Sequence, residues 1–371
     1  GHSIAMSASR IDRVKSCHFG YFMEYGLRAK ERKKAGFEAP EVGTFLHYLL
    51  ENVNRDVKAL GGYGQVSDDE LRRMTKDYVS RYAAERIDDF AHKSARFRYL
   101  FTRLRETAYT IILNIAREMR QSDFQPVSFE LSFGGRQGDL PAITIQEDGA
   151  RLSVSGKVDR VDGWLHEGKL YLRVVDYKTG KKSFDLTDIR YGLGIQMLLY
   201  LFTLEREGQS FFGHPIVPCG VLYQPARDVI LRQDRNISDE KLKAALQSEL
   251  RRTGLVLNDP QVLQAMEHSA LESPCYLPIG VKKDGSLSGS VATAAQLGHL
   301  GRYVDKLLHQ IIDADPYARG PQDSACTYCA FAAACCFDEA RDKRRPLRKT
   351  DSEEFWALME KTGEEDRHGE N

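Results

Sequence analysis

Two runs of alternating residues, RLSVSGKVDRVDGW and KLYLRVVDYKTG, flank the triplet HEG and constrain this chain more than any other feature. Each run has the two-residue period of a strand, and the break between them suits a tight turn. With Glu167 and Gly168 as that turn, counting back along both strands sets Asp159 opposite Asp176. Opposed residues of an antiparallel pair have Cβ atoms roughly 5 Å apart. Positions two apart on a strand share a face, so Asp176 and Lys178 project together while Tyr177 points away. A hairpin in this register carries two carboxylates and a lysine on one face.

That arrangement has a cost. Adjacent carboxylates repel, and one has its pKa raised unless a cation intervenes. A hard divalent ion such as Mg²⁺ or Mn²⁺ suits carboxylate oxygens. Lys178 could then orient or deprotonate an attacking water, or neutralise charge developing on a phosphate. The plain alternative is an ion-paired surface hairpin. Other residues join the candidates: Gln196 and Tyr200 lie four apart on a predicted helix face. His47 follows Gly43 by four residues in GTFLH, near the start of an apolar helix, where a histidine is more often a packed core residue than a ligand. Glu130, a third acid, lies on the alternating run PVSFELSF.

The rest of the chain reads as α/β (α+β), a small mixed sheet with helices before and after it. The expected parts are a helical N-terminal region (7–122), a core (123–235), a helical C-terminal region (236–345) and an acidic, frayed tail (346–371). The opening GHSIAM looks like a cloning remnant and is left out of the reading. Residues 7–60 read as helical, with Leu46, Leu50 and Val53 on one stripe, and 68–120 as further helices. DIRYGLGIQMLLYLFTLERE reads as one helix, PCGVLYQP as a strand, and CYLPIGVKKDG as the one strand-like interlude after 238. The 371 residues carry no formal net charge, so contact with nucleic acid must come from local basic patches. One such patch is Arg96, Arg98, Arg103 and Arg105, interleaved with Phe97, Tyr99 and Phe101, which would suit phosphates and stacked bases or equally a solvated helix face over core. No apolar run approaches a membrane span, and no secretory signal is visible. GWLHEGKL nearly fits a phosphate-binding loop, but Leu170 replaces the required hydroxyl.

Seven cysteines, an odd number in a large chain, argue against a disulfide framework and for ligands. Cys326, Cys329 and Cys335 cluster in ACTYCAFAAACCFD, with Cys336 beside them and Cys17 alone near the N-terminus. Cys219 and Cys275 read as buried thiols. Four thiolates suit either Zn²⁺ or a [4Fe–4S] cluster, and spacing leaves both open.

The ordered series Gly43-x-x-x-His47, Glu130, GKVDRVD, DYKTG and Gln196-x-x-x-Tyr200 resembles the RecB-like nuclease module of the PD-(D/E)xK superfamily. The cysteines, with GLVLNDPQVLQAME and DPYARGPQDSACTYCAF, resemble the nuclease part of the AddB-type subunits of bacterial helicase–nucleases over roughly residues 7–340. Cys336, and the absence of a proline after Cys17, depart from that pattern.

The resemblance implies a restriction-endonuclease-like core and Mg²⁺-dependent phosphodiester hydrolysis. Asp159, Asp176, Lys178, His47, Gln196 and Tyr200 would be catalytic, and Asp159, Asp176, His47 and the Tyr177 carbonyl would hold the metal. Glu130 would support them. A [4Fe–4S] cluster on Cys17, Cys326, Cys329 and Cys335 would staple the two ends together. Implied too are single-stranded DNA as substrate, a helicase partner of AddA type, break repair by recombination and a bacterial cytoplasm. A free-standing CRISPR-adaptation-type iron–sulfur exonuclease and a non-catalytic DNA-binding scaffold are the alternatives.

Overall fold

Strand β1 (Ser3–Ser7) leads into helix α1 (Ala8–Ser16) and the short α2 (His18–Tyr21). Helices α3 (Ala39–Ala59), α4 (Asp68–Arg86) and α5 (Ala95–Met119) follow. The chain then lays down β2 (Gln125–Phe133), β3 (Ile143–Glu147), β4 (Ala150–His166) and β5 (Lys169–Lys178). A crossover of α6 (Leu186–Arg190) and α7 (Gln196–Phe212) returns it to β6 (Ile216–Pro225). Next come α8 (Asp239–Glu249), β7 (Thr253–Leu257), α9 (Pro260–Met266), β8 (Ile279–Val281), β9 (Leu287–Gly289) and β10 (Val291–Ala292). Helices α10 (Ala294–Ile312), α11 (Ala332–Cys335) and α12 (Ser352–Gly369) close the order. The structure is a computed structural model and describes residues 3–30, 39–87, 94–134, 138–147, 149–229, 231, 237–312 and 321–369.

The main sheet is mixed and has eight strands among the described residues, in the order β1-β4-β5-β6-β7-β10, with β2 and β3 also on β4. Strand β4 is its spine. Its first half lies between β1, parallel, and β3, antiparallel, and its second half between antiparallel β2 and β5. Glu167 and Gly168 both have positive φ, 49° and 74°, the pair of angles that a two-residue hairpin turn of right-handed twist requires. The register runs from His166↔Lys169 to Arg160↔Val175, which continues to Asp159 beside Asp176, as the alternation predicts. Two hydrophobic clusters hold the layers. One joins the sheet to α1, α7, α9, α10 and α12, and the other lies among α3, α4 and α5 and reaches Tyr177 and Ala226.

Several elements differ from the reading of the sequence. The hexapeptide left out of the fold enters it, because β1 pairs with β4 and Met6 is buried. The single helix expected from Asp188 onward divides into α6 and α7, since Gly192 and Gly194 take φ of 77° and 65° between them. β7 and β10 extend the sheet beyond residue 236, and β3 adds a further strand. Residues 346–371 do not make a frayed tail over their described length: α12 buries Phe355 and Met359 fully and packs against α10.

Candidate active site and metal centre

Helix α3 buries Leu46, Leu49, Leu50 and Val53 as one stripe, which fixes its rotation and turns His47 toward the sheet. The imidazole Nδ1 lies 3.4 Å from Asp159 Oδ1 and 3.9 Å from Glu130 Oε1. Glu130 reaches them by an unusual route. It sits in β2 with φ of 53°, a left-handed conformation rare for a side chain inside a strand. The pairs Phe129↔Arg160 and Leu131↔Val158 on either side set it across from Asp159. Ligand atoms of His47, Glu130 and Asp159 all lie within 4.8 Å of one another, the one such group among the described residues.

Asp176 and Lys178 stand beside this group on β5. The lysine Nζ is 2.6 Å from Asp176 Oδ2. Burial and the nearby Asp159 carboxylate push the Asp176 pKa up to about 6, against the pull of Lys178 and His47. Burial works against a proton on His47, but Asp159 and Glu130 outweigh it and raise its pKa to about 10. Burial raises the Glu130 carboxyl, and His47 and Lys157 more than reverse that and hold it below its usual range. Tyr177 contributes through its backbone: its N–H donates to Asp159 Oδ2 at 2.8 Å and orients that carboxylate.

Gln196 and Tyr200 come in from α7, where Gln196 Nε2 donates to the Tyr200 hydroxyl at 2.7 Å. Burial raises the phenol's pKa, while the hydrogen bond from Gln196 and a backbone one from Lys157 counter it. With its oxygen accepting twice, Tyr200 keeps its own proton to donate. Gly156, which opens GKVD, lets this ring in: a Cβ there would stand 2.5 Å from both Tyr200 and Phe133. His47, Glu130, Asp159, Asp176, Lys178, Gln196 and Tyr200 therefore converge. Two carboxylates and an imidazole, with a third carboxylate held against its burial, form a donor set that fits a hard divalent cation. Lys157, which ion-pairs with Glu130, escaped the reading of the sequence. Its position two residues before Asp159 was the available signal.

A second charged group also escaped it. On the opposite face of the hairpin, Arg160, Asp162 and Arg173 are sealed from solvent, together with Glu118 of α5 and Arg252. Asp162 pairs with Arg160 at 2.8 Å and with Arg173 at 3.0 Å, and Glu118 bridges Arg173 at 2.9 Å and Arg252 at 2.5 Å. The chain of contacts ends at the Tyr177 hydroxyl, which accepts from Arg160 at 3.2 Å and from Asn54 of α3 at 3.5 Å. The residue between Asp176 and Lys178 is thus gripped from behind.

The thiols of Cys326 and Cys335 each lie within electrostatic reach of Cys17 and Cys329. Cys17 accepts from the Gly20 N–H at 3.4 Å, and Cys336 is exposed in a left-handed turn. Cys219 is fully buried and Cys275 half-buried. In the basic segment of α5, Arg103 pairs with Asp228 and Arg105 with Glu106, Phe101 is core and Tyr99 is exposed.

Residues 5–336 match the model of the PD-(D/E)XK nuclease superfamily, and the chain belongs to that family. Among curated proteins it is similar to the AddB-type subunit of the ATP-dependent helicase/deoxyribonuclease of Acetivibrio thermocellus, 33% identical over 98% of this chain. The corresponding protein of Clostridium kluyveri is 32% identical over 97%, and that of Clostridium acetobutylicum 31% over 100%. The chain spans about a third of the length of these relatives, 33%, 32% and 33% in turn. One solved structure, described as the crystal structure of SSO0001, covers 79% of this chain at 12% identity with a TM-score of 0.22, too poor a likeness to carry an argument. Among the described residues no helix is long and apolar enough to cross a membrane.

Proposed function

We propose that this chain is the nuclease part of a helicase–nuclease subunit, a Mg²⁺- or Mn²⁺-dependent deoxyribonuclease acting as an exonuclease on single-stranded DNA. The observation that carries this is the convergence of His47, Glu130, Asp159, Asp176 and Lys178 on one partly open face. A bound divalent cation would activate the attacking water and offset charge on the scissile phosphate. His47, Glu130 and Asp159 would hold it, with Asp176 on the other side. Lys178 would steady the water and the developing negative charge, and Tyr200 would donate to a phosphate oxygen. Gly43, one turn before His47, would leave room for the strand, since a Cβ there would meet nothing within 4 Å.

In this reading Cys17, Cys326, Cys329 and Cys335 hold a [4Fe–4S] cluster. Zinc at about 2.3 Å from each thiolate would draw the sulfurs together. No three thiols among the described residues lie within 4.8 Å of one another, which supports the larger cluster. The similarity to AddB-type proteins supports an AddA-type partner, a cytoplasmic place of work and a role in break repair. Mg²⁺-dependent release of nucleotides from single-stranded DNA, lost in Asp176→Ala, is the expected result. A wild type that binds DNA and leaves it intact with either metal would make the chain a scaffold.

A further inference from the structure

Lys178 also belongs to a second feature. At the carboxyl ends of β5 and β6 lies an open cleft of about 190 Å³, lined by five cations, Lys178, Lys181, Lys182, Arg227 and Arg251, and among its lining residues one carboxylate, Glu249. The backbone beneath the lysines is pinned. Thr253 donates its hydroxyl to the Lys182 carbonyl at 2.7 Å, and the Ala226 N–H donates to that of Lys178 at 2.8 Å.

The ring of Tyr223 seats two ammonium groups, Lys178 Nζ at 5.7 Å and Lys182 Nζ at 5.9 Å from its centroid. Glu249 is shared by Lys181 at 3.2 Å and Arg227 at 2.7 Å, so one negative charge answers two positive ones. Arg251 donates to the carbonyls of Leu277 at 2.7 Å and Pro274 at 3.1 Å, which leaves it a fixed charge in the wall. Gly180 borders open space. A cleft so charged repels itself until an anion enters, and its end at Lys178 is the end of the carboxylate centre.

We propose that this cleft holds the backbone phosphates next to the scissile one, so that a single DNA strand leaves the carboxylate centre over Lys178 and passes Lys182, Lys181 and Arg227. The inference rests on the nuclease reading for its scissile phosphate. The contacts are to phosphate, so they set the path of the strand and carry no sequence preference.

The test is binding of a fluorescent single-stranded oligonucleotide in EDTA, across a salt series, by wild type, by the double variant Lys181→Ala/Lys182→Ala, and by Lys361→Ala on α12 as a control. Both lysines of the pair are exposed, so folding should survive. If each meets one phosphate, the slope of log affinity against log salt should fall by roughly 1.4, about 0.7 per contact on a single strand. Binding should weaken at least several-fold, and KM for cleavage should rise by the same factor. The control should keep the wild-type slope. An unchanged slope and Kd in the double variant, or preferential duplex binding that the double variant retains, would overturn the assignment. Because the binding arm runs without metal, a protein that binds as predicted and cleaves nothing defeats the nuclease reading and leaves the cleft standing.

Discussion

The two faces of the β4–β5 hairpin carry comparable numbers of charges and treat them in opposite ways. On the buried face Asp162 lies between Arg160 and Arg173, and Glu118 between Arg173 and Arg252, so each carboxylate is forked by two guanidiniums. On the open face three carboxylates meet one imidazole and two lysines, and the imidazole is protonated because the carboxylates demand it. Planar guanidinium forks complete their pairs without outside help. A set whose compensation comes from a displaceable proton leaves work for a ligand. What separates a structural cluster from a binding site here is not burial alone but whether the protein supplies the last cation.

The largest expected effect tests the closed face. Glu118→Gln leaves Arg173 and Arg252 without the carboxylate they share, and breaking a buried pair this way costs about 3–5 kcal/mol. Thermal unfolding should show a large drop, or the variant should be insoluble. Asp176→Ala, on the open face, should lose all cleavage with no drop in melting temperature. If Asp176→Ala unfolds as readily as Glu118→Gln, the contrast between the faces is wrong.

Cys17→Ala should come next. Losing its ligand opens a very large closed loop, worth several kcal/mol on an approximate entropy scale. Purified anaerobically, the variant should lack iron and aggregate more readily, while Cys336→Ala should keep wild-type iron and colour. The reverse result would exchange the two cysteines as ligands, and stoichiometric zinc without iron in the wild type would end the cluster assignment.

Within the open face the roles should divide. Lys178→Ala should still bind Mn²⁺ and cleave far more slowly, whereas Asp176→Ala should bind it weakly. Equal loss of metal affinity in both would erase that division.

A subtler effect concerns protons. His47 is raised from 6.5 to about 10 in the fold without metal, so its charged form stabilises the protein fully below pH 6.5. That contribution is lost as pH rises through about 10. Asp176, raised from 3.8 to about 6, likewise favours its protonated form, with the contribution gone above about 6. A cation must displace the His47 proton, so affinity for Mn²⁺ should climb with pH across the neutral range. Calorimetry at pH 7.5 in buffers of different ionisation enthalpy should detect proton release in the wild type and much less in His47→Gln. Heats independent of buffer would contradict the protonated imidazole. The smallest effect should come from Arg105→Ala, whose exposed pair with Glu106 is worth about 0–1 kcal/mol.

Much of this arrangement was legible in short stretches of sequence. Alternation fixes which residues of KVDRVD and VVDYK share a face, and a two-residue turn at Glu167–Gly168 fixes the register, so Asp159, Asp176 and Lys178 could be placed together before any fold was known. Period and turn chemistry act over a few residues, and they survive whatever surrounds them. The same local signals misled where context overrode them, as when Gly192 and Gly194 divided one apolar stretch into α6 and α7. β1 and α12 were left out because a short polar strand and an acidic helix have no signal of their own; each is stable only against β4 or α10. The convergence of His47 on Asp159, the left-handed turn of Glu130 and the fork of Glu118 onto Arg252, 134 residues away, were decided by the tertiary structure alone. Pairings at that range depend on how whole layers pack, and no local period encodes which charge will meet which.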